Sequence, residues 1–263
     1  MKQGFYLLLL LLMSSKVDAQ ILNADGFGTP VDSGHVFRGV IDFGMNINKQ
    51  NSLIVSFDTK ADLSYWFKNN VLISTSKFAL FRSGNKNLIN GGFSHLRLRL
   101  RQDLWVHPEI FTQYQLDGIR GMEERFLAGA NLRFRLKKYD RGAFFIGVGG
   151  MYEYEYWNYD GVPDDIVIID DTPVQNHFGK FNFYLSYRQK LGNWASLSSI
   201  FYFQTRLDSY FLSPRISTDA QLTFQISKHL SFAMKYNVFF DAAPPVPIFN
   251  WYYSVINKIV FSF

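Results

Sequence analysis

Leucine and arginine alternate without interruption in the stretch SHLRLRLRQ, residues 94–102. A helix would scatter the arginines around its circumference. A strand sends successive side chains to opposite faces, with Leu96, Leu98 and Leu100 on one and Arg97, Arg99 and Arg101 on the other. The stretch is therefore read as a strand. In an ordinary half-buried sheet the leucines would meet a core and the arginines bulk water, and one strand alone does not decide between that arrangement and its inverse.

The start of the chain bears on the choice. Lys2, the apolar run FYLLLLLLM and the small-residue pattern Val17-Asp18-Ala19 ahead of Gln20 have the anatomy of a secretory signal peptide. Residues 1–19 are expected to be removed, leaving an N-terminal periplasmic segment over 20–35 and a single domain over 36–263. The leader is too short to span a bilayer as a helix, and no later stretch approaches the roughly 18 consecutive apolar residues that a spanning helix needs. The absence of cysteine excludes disulfides, thiolate metal sites and a lipidated N-terminal cysteine.

Composition then argues for the inverse arrangement. Aromatic residues make up 18% of the chain, yet mean hydropathy is only -0.06, because apolar side chains are diluted one for one with polar ones. Weak alternation of this kind is expected of a transmembrane β-barrel, whose outer face meets lipid while its lumen is polar. Period-two reading yields about 12 segments. Among them, 36–48 sets Phe37, Ile41, Phe43, Met45 and Ile47 against Arg38, Asp42, Asn46 and Asn48, and Leu53 to Phe67 alternates in the same way. Connections after even-numbered segments are short, as in QD, KLGN and SK, whereas the odd ones include the long NYDGVPDDIVIIDDTPVQ. The chain closes on KIVFSF, an aromatic-ended strand suited to recognition by barrel-insertion machinery. The expected fold is an all-β, transmembrane, antiparallel up-and-down β-barrel of about 12 strands in the outer membrane of a Gram-negative bacterium. Its expected partners are outer-membrane lipid and the barrel-assembly machinery, the latter through the strand ending at Phe263.

Three segments, RFLAGANLRFRL from Arg125, FFIGVGGMYEYE from Phe144 and SKHLSFAMKYNVFFDAAPP from Ser227, resemble the bacterial family described as salt-induced outer-membrane proteins, domain of unknown function 481. The resemblance implies an outer-membrane barrel linked to salt or osmotic stress and carries over no active-site residues. A Gly-Asn-Thr expected near the first strand of one subgroup is missing.

If the leucines of 96–100 face outward, His95, Arg97, Arg99 and Arg101 line the interior, and the same logic sends Glu109, Arg125, Arg133, Arg135, Glu153 and Glu155 inward. A charge on the lipid face would cost about 2–4 kcal/mol near the midplane. Three roles compete for these residues. They could form a salt-bridge network that plugs a structural barrel, or the wall of a narrow channel preferring small anions. The third is a hydrolase built around one of His35, His95, His107, His177 and His229; none of these lies in a serine or carboxylate motif, and the chain is read as not an enzyme. The acidic loop residues Asp160, Asp164, Asp165, Asp170 and Asp171 either gate the interior or project outward; their spacing does not fit a calcium loop. No metal or cofactor is expected. No nucleic-acid partner is expected either, since the arginines alternate along strands. Gly147, Gly149 and Gly150 interrupt a strand and are read as space for bulky neighbours.

Overall fold

The computed structural model describes residues 36–49, 53–83, 86–139, 141–209, 211–227 and 230–261. The leader, the segment 20–35, His35, His229 and Phe263 lie outside these residues. Twelve strands account for most of the described chain: β1 (Phe37–Lys49), β2 (Leu53–Phe67), β3 (Asn70–Ser83), β4 (Lys86–Arg99), β5 (Val106–Asp117), β6 (Met122–Tyr139), β7 (Gly142–Trp157), β8 (Val174–Leu191), β9 (Ala195–Arg206), β10 (Pro214–Gln225), β11 (Leu230–Asp241) and β12 (Trp251–Phe261). They form one sheet in chain order, and each strand is antiparallel to the next.

The faces of this sheet follow the alternation in the sequence, with polarity inverted. On β5, His107, Glu109, Phe111, Gln113, Gln115 and Asp117 are buried, while Ile110 and Tyr114 between them are exposed. On β4, His95, Arg97 and Arg99 are buried and Leu96 is 43% exposed. Polar and charged groups thus fill the inner face, and leucine, isoleucine, phenylalanine and tyrosine cover much of the outer one.

Strands that are not neighbours touch across the inner face. The Tyr184 hydroxyl on β8 donates to Glu109 on β5 at 2.6 Å, and Arg215 on β10 reaches Glu155 on β7 at 2.7 Å. Such contacts require a sheet that bends around its polar face. Gly147 makes one of them possible: a Cβ there would overlap the Tyr184 ring, so the glycine on β7 provides the space in which the ring of the neighbouring strand lies before reaching Glu109.

The bend stops short of the expected barrel. The strand order runs from β1 to β12, and among the described residues no ladder joins β12 back to β1, so the sheet is open. Period two reports the face a residue takes and reads the same in open and closed sheets; closure depends on pairing between the two ends of the chain, which no local pattern encodes. A sheet crosses a hydrocarbon layer only when every backbone group is paired, which for strands means closure. The readings that rested on closure are therefore corrected: the narrow anion-preferring channel, its plugged-barrel alternative, integration in outer-membrane lipid, recognition by assembly machinery through the C-terminal strand, and location in the outer membrane. No helix among the described residues is long and apolar enough to cross a membrane.

At the end of the sheet carrying the longer connections, the β11–β12 connection folds over the inner face. Its Val246 and Ile248 pack with Met122 and Trp157. Beside them Arg120 is ion-paired to Asp117 at 2.8 Å and lies 4.6 Å from the Phe239 ring and 5.4 Å from that of Tyr252. This cap brings the β5–β6 turn onto β11 and β12.

Candidate functional site: two charged clusters on the inner face

The inner-face charges divide into two groups. Nearer the cap, Arg125 of β6, Glu153 and Glu155 of β7, Lys180 of β8, Arg215 of β10 and Asp241 of β11 form a continuous network. Arg215 bridges Glu155 and Asp241, each at 2.7 Å, and reaches Glu153 at 3.2 Å. Arg125 binds Glu155 at 3.2 Å and pairs with Glu153, to which Lys180 is also joined. Neutral groups complete the shell: Arg125 donates to Gln115 at 3.1 Å, and the Trp157 indole donates to Glu155 at 3.3 Å. Burial alone would raise the Glu153 carboxyl, but Arg125, Lys180 and Arg215 outweigh it and hold the group well below the usual carboxylate range. Three acids meet three bases, so the network is electrically compensated.

The second group, toward the short-turn end of the sheet, is richer in arginine. Arg97 and Arg99 of β4 and Arg133 of β6 gather around Glu109 of β5, and Arg188 of β8 lies near Arg99 and Arg133. Arg99 donates to Glu109 at 2.6 Å, and Arg97 lies 3.7 Å from its other oxygen, the one that accepts from Tyr184. Arg133 stacks 3.7 Å from the Phe145 ring centre, and Arg97 lies 5.7 Å from Phe111 and 5.8 Å from Tyr184. Burial pushes the Glu109 carboxyl up, but Arg97, Arg99 and Arg133 together bring it down to about 2. Burial first, and then the charges of Arg99 and Arg133, lower the Arg188 guanidinium to about 9, still charged at neutral pH. Burial and Arg97 lower His95 to about 3 while its Nδ1 contacts Gln113 at 3.1 Å. Aromatic ring faces pack against Arg97 and Arg133 within this group.

The alternation placed His95, Arg97, Arg99, Glu109, Arg125, Arg133, Glu153 and Glu155 inward, and all eight are buried on the inner face. Arg125, Glu153 and Glu155 fall in the compensated network, and His95, Arg97, Arg99, Glu109 and Arg133 in or beside the arginine-rich one. Arg101 and Arg135 sit differently. Arg101 has left the strand, with φ at 53, and faces Asp103 at 3.7 Å from a largely exposed position. Arg135 lies at the rim, where it donates to the Gln102 carbonyl at 2.7 Å. The loop residues Asp160, Asp164, Asp165, Asp170 and Asp171 are exposed in a segment without regular strand, and Asp170 accepts from Thr172. Sequence reasoning missed Lys180, Tyr184, Arg188, Arg215 and Asp241. The signal was present on β8, where period two from Lys180 leads through Asn182, Tyr184 and Ser186 to Arg188.

Residues 41–246 match the family model described as "Protein of unknown function, DUF481". The chain belongs to this family. The membership agrees with the resemblance carried by the three segments from Arg125, Phe144 and Ser227; the closed outer-membrane barrel which that resemblance implied is the part the open sheet corrects. The DUF481 description assigns no activity, and no curated protein matches the sequence.

Proposed function

We propose that the protein acts by binding rather than by chemistry, and that its ligand is a small oxyanion of the sulfate class taken up by the arginine-rich cluster. One observation carries this reading: the buried guanidiniums of Arg97, Arg99 and Arg133 converge on the same region of the inner face around Glu109, with Arg188 near Arg99 and Arg133. Guanidinium forks match oxyanions in both charge and geometry, and in a region screened from water such contacts are stronger than at a surface. Histidine geometry supports binding over catalysis: His95 contacts Gln113, His107 contacts Arg135 and the Arg101 carbonyl, and His177 contacts Tyr152 and Gln175.

Calorimetric titration of the folded chain with sodium sulfate tests this. Saturable binding at one site per chain is expected. Glu109→Gln, which removes the anionic competitor, should bind more tightly and gain thermal stability from added sulfate. Absence of saturable heat with sulfate and with phosphate, in protein whose circular dichroism shows a folded sheet, would sink the proposal.

A further inference from the structure

Independently of the oxyanion reading, we propose that the β7–β8 connection of one copy docks on the short-turn end of a second copy, so that chains associate head to tail. Ile166, Val167, Ile168 and Ile169 form the tip of this connection and belong to no ladder among the described residues. Their exposures alternate, at 38%, 86%, 38% and 99%, which is the period of an extended strand with one face turned to solvent. The base of the connection is fixed. Tyr159, Val162 and Val174 pack on Met122, Trp157, Val246 and Ile248, and the Ile166 N–H donates to the Pro163 carbonyl at 3.0 Å. Apolar side chains held out on an anchored base form a surface for another molecule.

Charge selects the occupant. Asp164 and Asp165 precede the tip and Asp170 and Asp171 follow it, all exposed, with no basic residue from Asp160 to Gln175. Two tips laid together as antiparallel strands would set aspartate against aspartate, a like-charge arrangement that keeps exposed strands from pairing with themselves. The tip therefore calls for an apolar surface flanked by cations, and the opposite end of the same molecule supplies one. Leu104, Trp105 and Leu136 are exposed there and lie together, since the Arg135 N–H donates to the Trp105 carbonyl at 2.8 Å. On one side stand Lys68 and Arg101, whose turns are joined by the Gln102 N–H donating to the Asn69 carbonyl at 2.7 Å. On the other stand Arg141 and Lys190, joined by the Lys190 N–H donating to the Arg141 carbonyl at 2.7 Å. All four cations are exposed; Asp103, 3.7 Å from Arg101, offsets one of them.

Acid, aliphatic and acid on the tip thus meet base, apolar and base on the patch. Because the two surfaces lie at opposite ends of β7 and β8, the contact is heterologous: each copy offers a tip in one direction and a patch in the other, and association extends beyond the pair into rings or open chains. A two-fold pair is opposed at either surface, tip on tip by aspartates and patch on patch by cations. The tip is small beside a stable interface, so association is weak, and it depends on salt, which screens exposed charges beyond about 10 Å at 0.1 M ionic strength.

Sedimentation velocity of the folded chain at about 0.2 mM, a concentration suited to a contact of this size, tests this. At about 0.05 M salt a concentration-dependent series of species beyond the dimer is expected, returning to monomer at about 0.5 M. Two variants interrupt the series from opposite ends: Val167→Ser with Ile169→Ser on the tip, and Arg141→Glu with Lys190→Glu on the patch. Each alone should remain monomeric, whereas their equimolar mixture should form a dimer and stop there, since it joins one intact tip to one intact patch. Monomer at every concentration in low salt overturns the proposal, as does a series that survives either variant or a mixture that gains no dimer. Should either variant fail to fold by circular dichroism, a synthetic peptide of residues 161–173 decides with the native chain. It should dissolve the series, and its counterpart with Val167→Ser and Ile169→Ser should not; equal effects of the two peptides, or none, overturn the tip as the docking element.

Discussion

The two clusters lie on the same face of the same sheet, share β6 and β8, and draw on the same residue types, yet they are built to different ends. In the compensated network every cation bridges at least one carboxylate, and Arg215 alone ties β10 to both β7 and β11. The arginine-rich cluster directs two arginines and a phenol at one carboxylate and sets two further guanidiniums nearby. The first is a clasp: breaking it leaves buried charge exposed to its own kind. The second is a convergence of arginines and a phenol on Glu109. A polar interior can thus hold two differently connected halves, one knit by carboxylates shared between strands and one in which arginines converge on a single carboxylate.

The sharpest way to break the comparison is Glu153→Gln, which strips the shared partner from Arg125, Lys180 and Arg215. It should cost about 3–5 kcal/mol, measured by urea unfolding followed through tryptophan fluorescence; a loss below about 1 kcal/mol would remove the clasp from the account. Next in size is acid sensitivity, which should belong to the arginine-rich half. His95 is held neutral, so from about pH 6.5 downward the unfolded chain gains a proton that the native chain refuses until about pH 3. Stability should therefore fall as pH drops through that window, by roughly 3 kcal/mol at pH 4, and His95→Gln should flatten the slope of a melting-temperature series. Glu153, held below the carboxylate range, keeps the clasp intact over the same interval.

Arg188→Gln sharpens the contrast from the other side. Removing a cation that burial, Arg99 and Arg133 all disfavour should leave stability unchanged or raise it by about 1 kcal/mol, while lowering sulfate affinity about tenfold. The equivalent loss in the clasp, Arg215→Gln, should destabilise the chain. The smallest effect is expected for Phe145→Leu, which removes the ring beneath Arg133 and should cost about 1 kcal/mol, read from the denaturation midpoint.

Much of this was legible in the sequence, for a specific reason. A strand's faces are set by local geometry, so LRLRLR was enough to send Arg97 and Arg99 inward, and VHPEIFTQYQLD enough to place Glu109 with them. What alternation does not contain is distance across the sheet. It placed Arg125 and Arg97 on one face without showing that they belong to different clusters, and it gave no hint that Arg215 and Asp241 would meet Glu153 and Glu155. It extended the fourth strand to Arg101, where the backbone has already turned. Closure failed for the same reason, since β1 and β12 alternate in the manner of paired strands and remain the two edges of the sheet.

The space at Gly147 has a consequence for how such a protein can vary over generations. Because a Cβ at this position would occupy the same volume as the Tyr184 ring, the two positions behave as one inherited character. Relatives that carry alanine at the place of Gly147 should carry a smaller side chain at the place of Tyr184. In those lineages the residue equivalent to Glu109 has lost the phenol that donates to it, and a compensating donor should have arisen from another strand of the inner face.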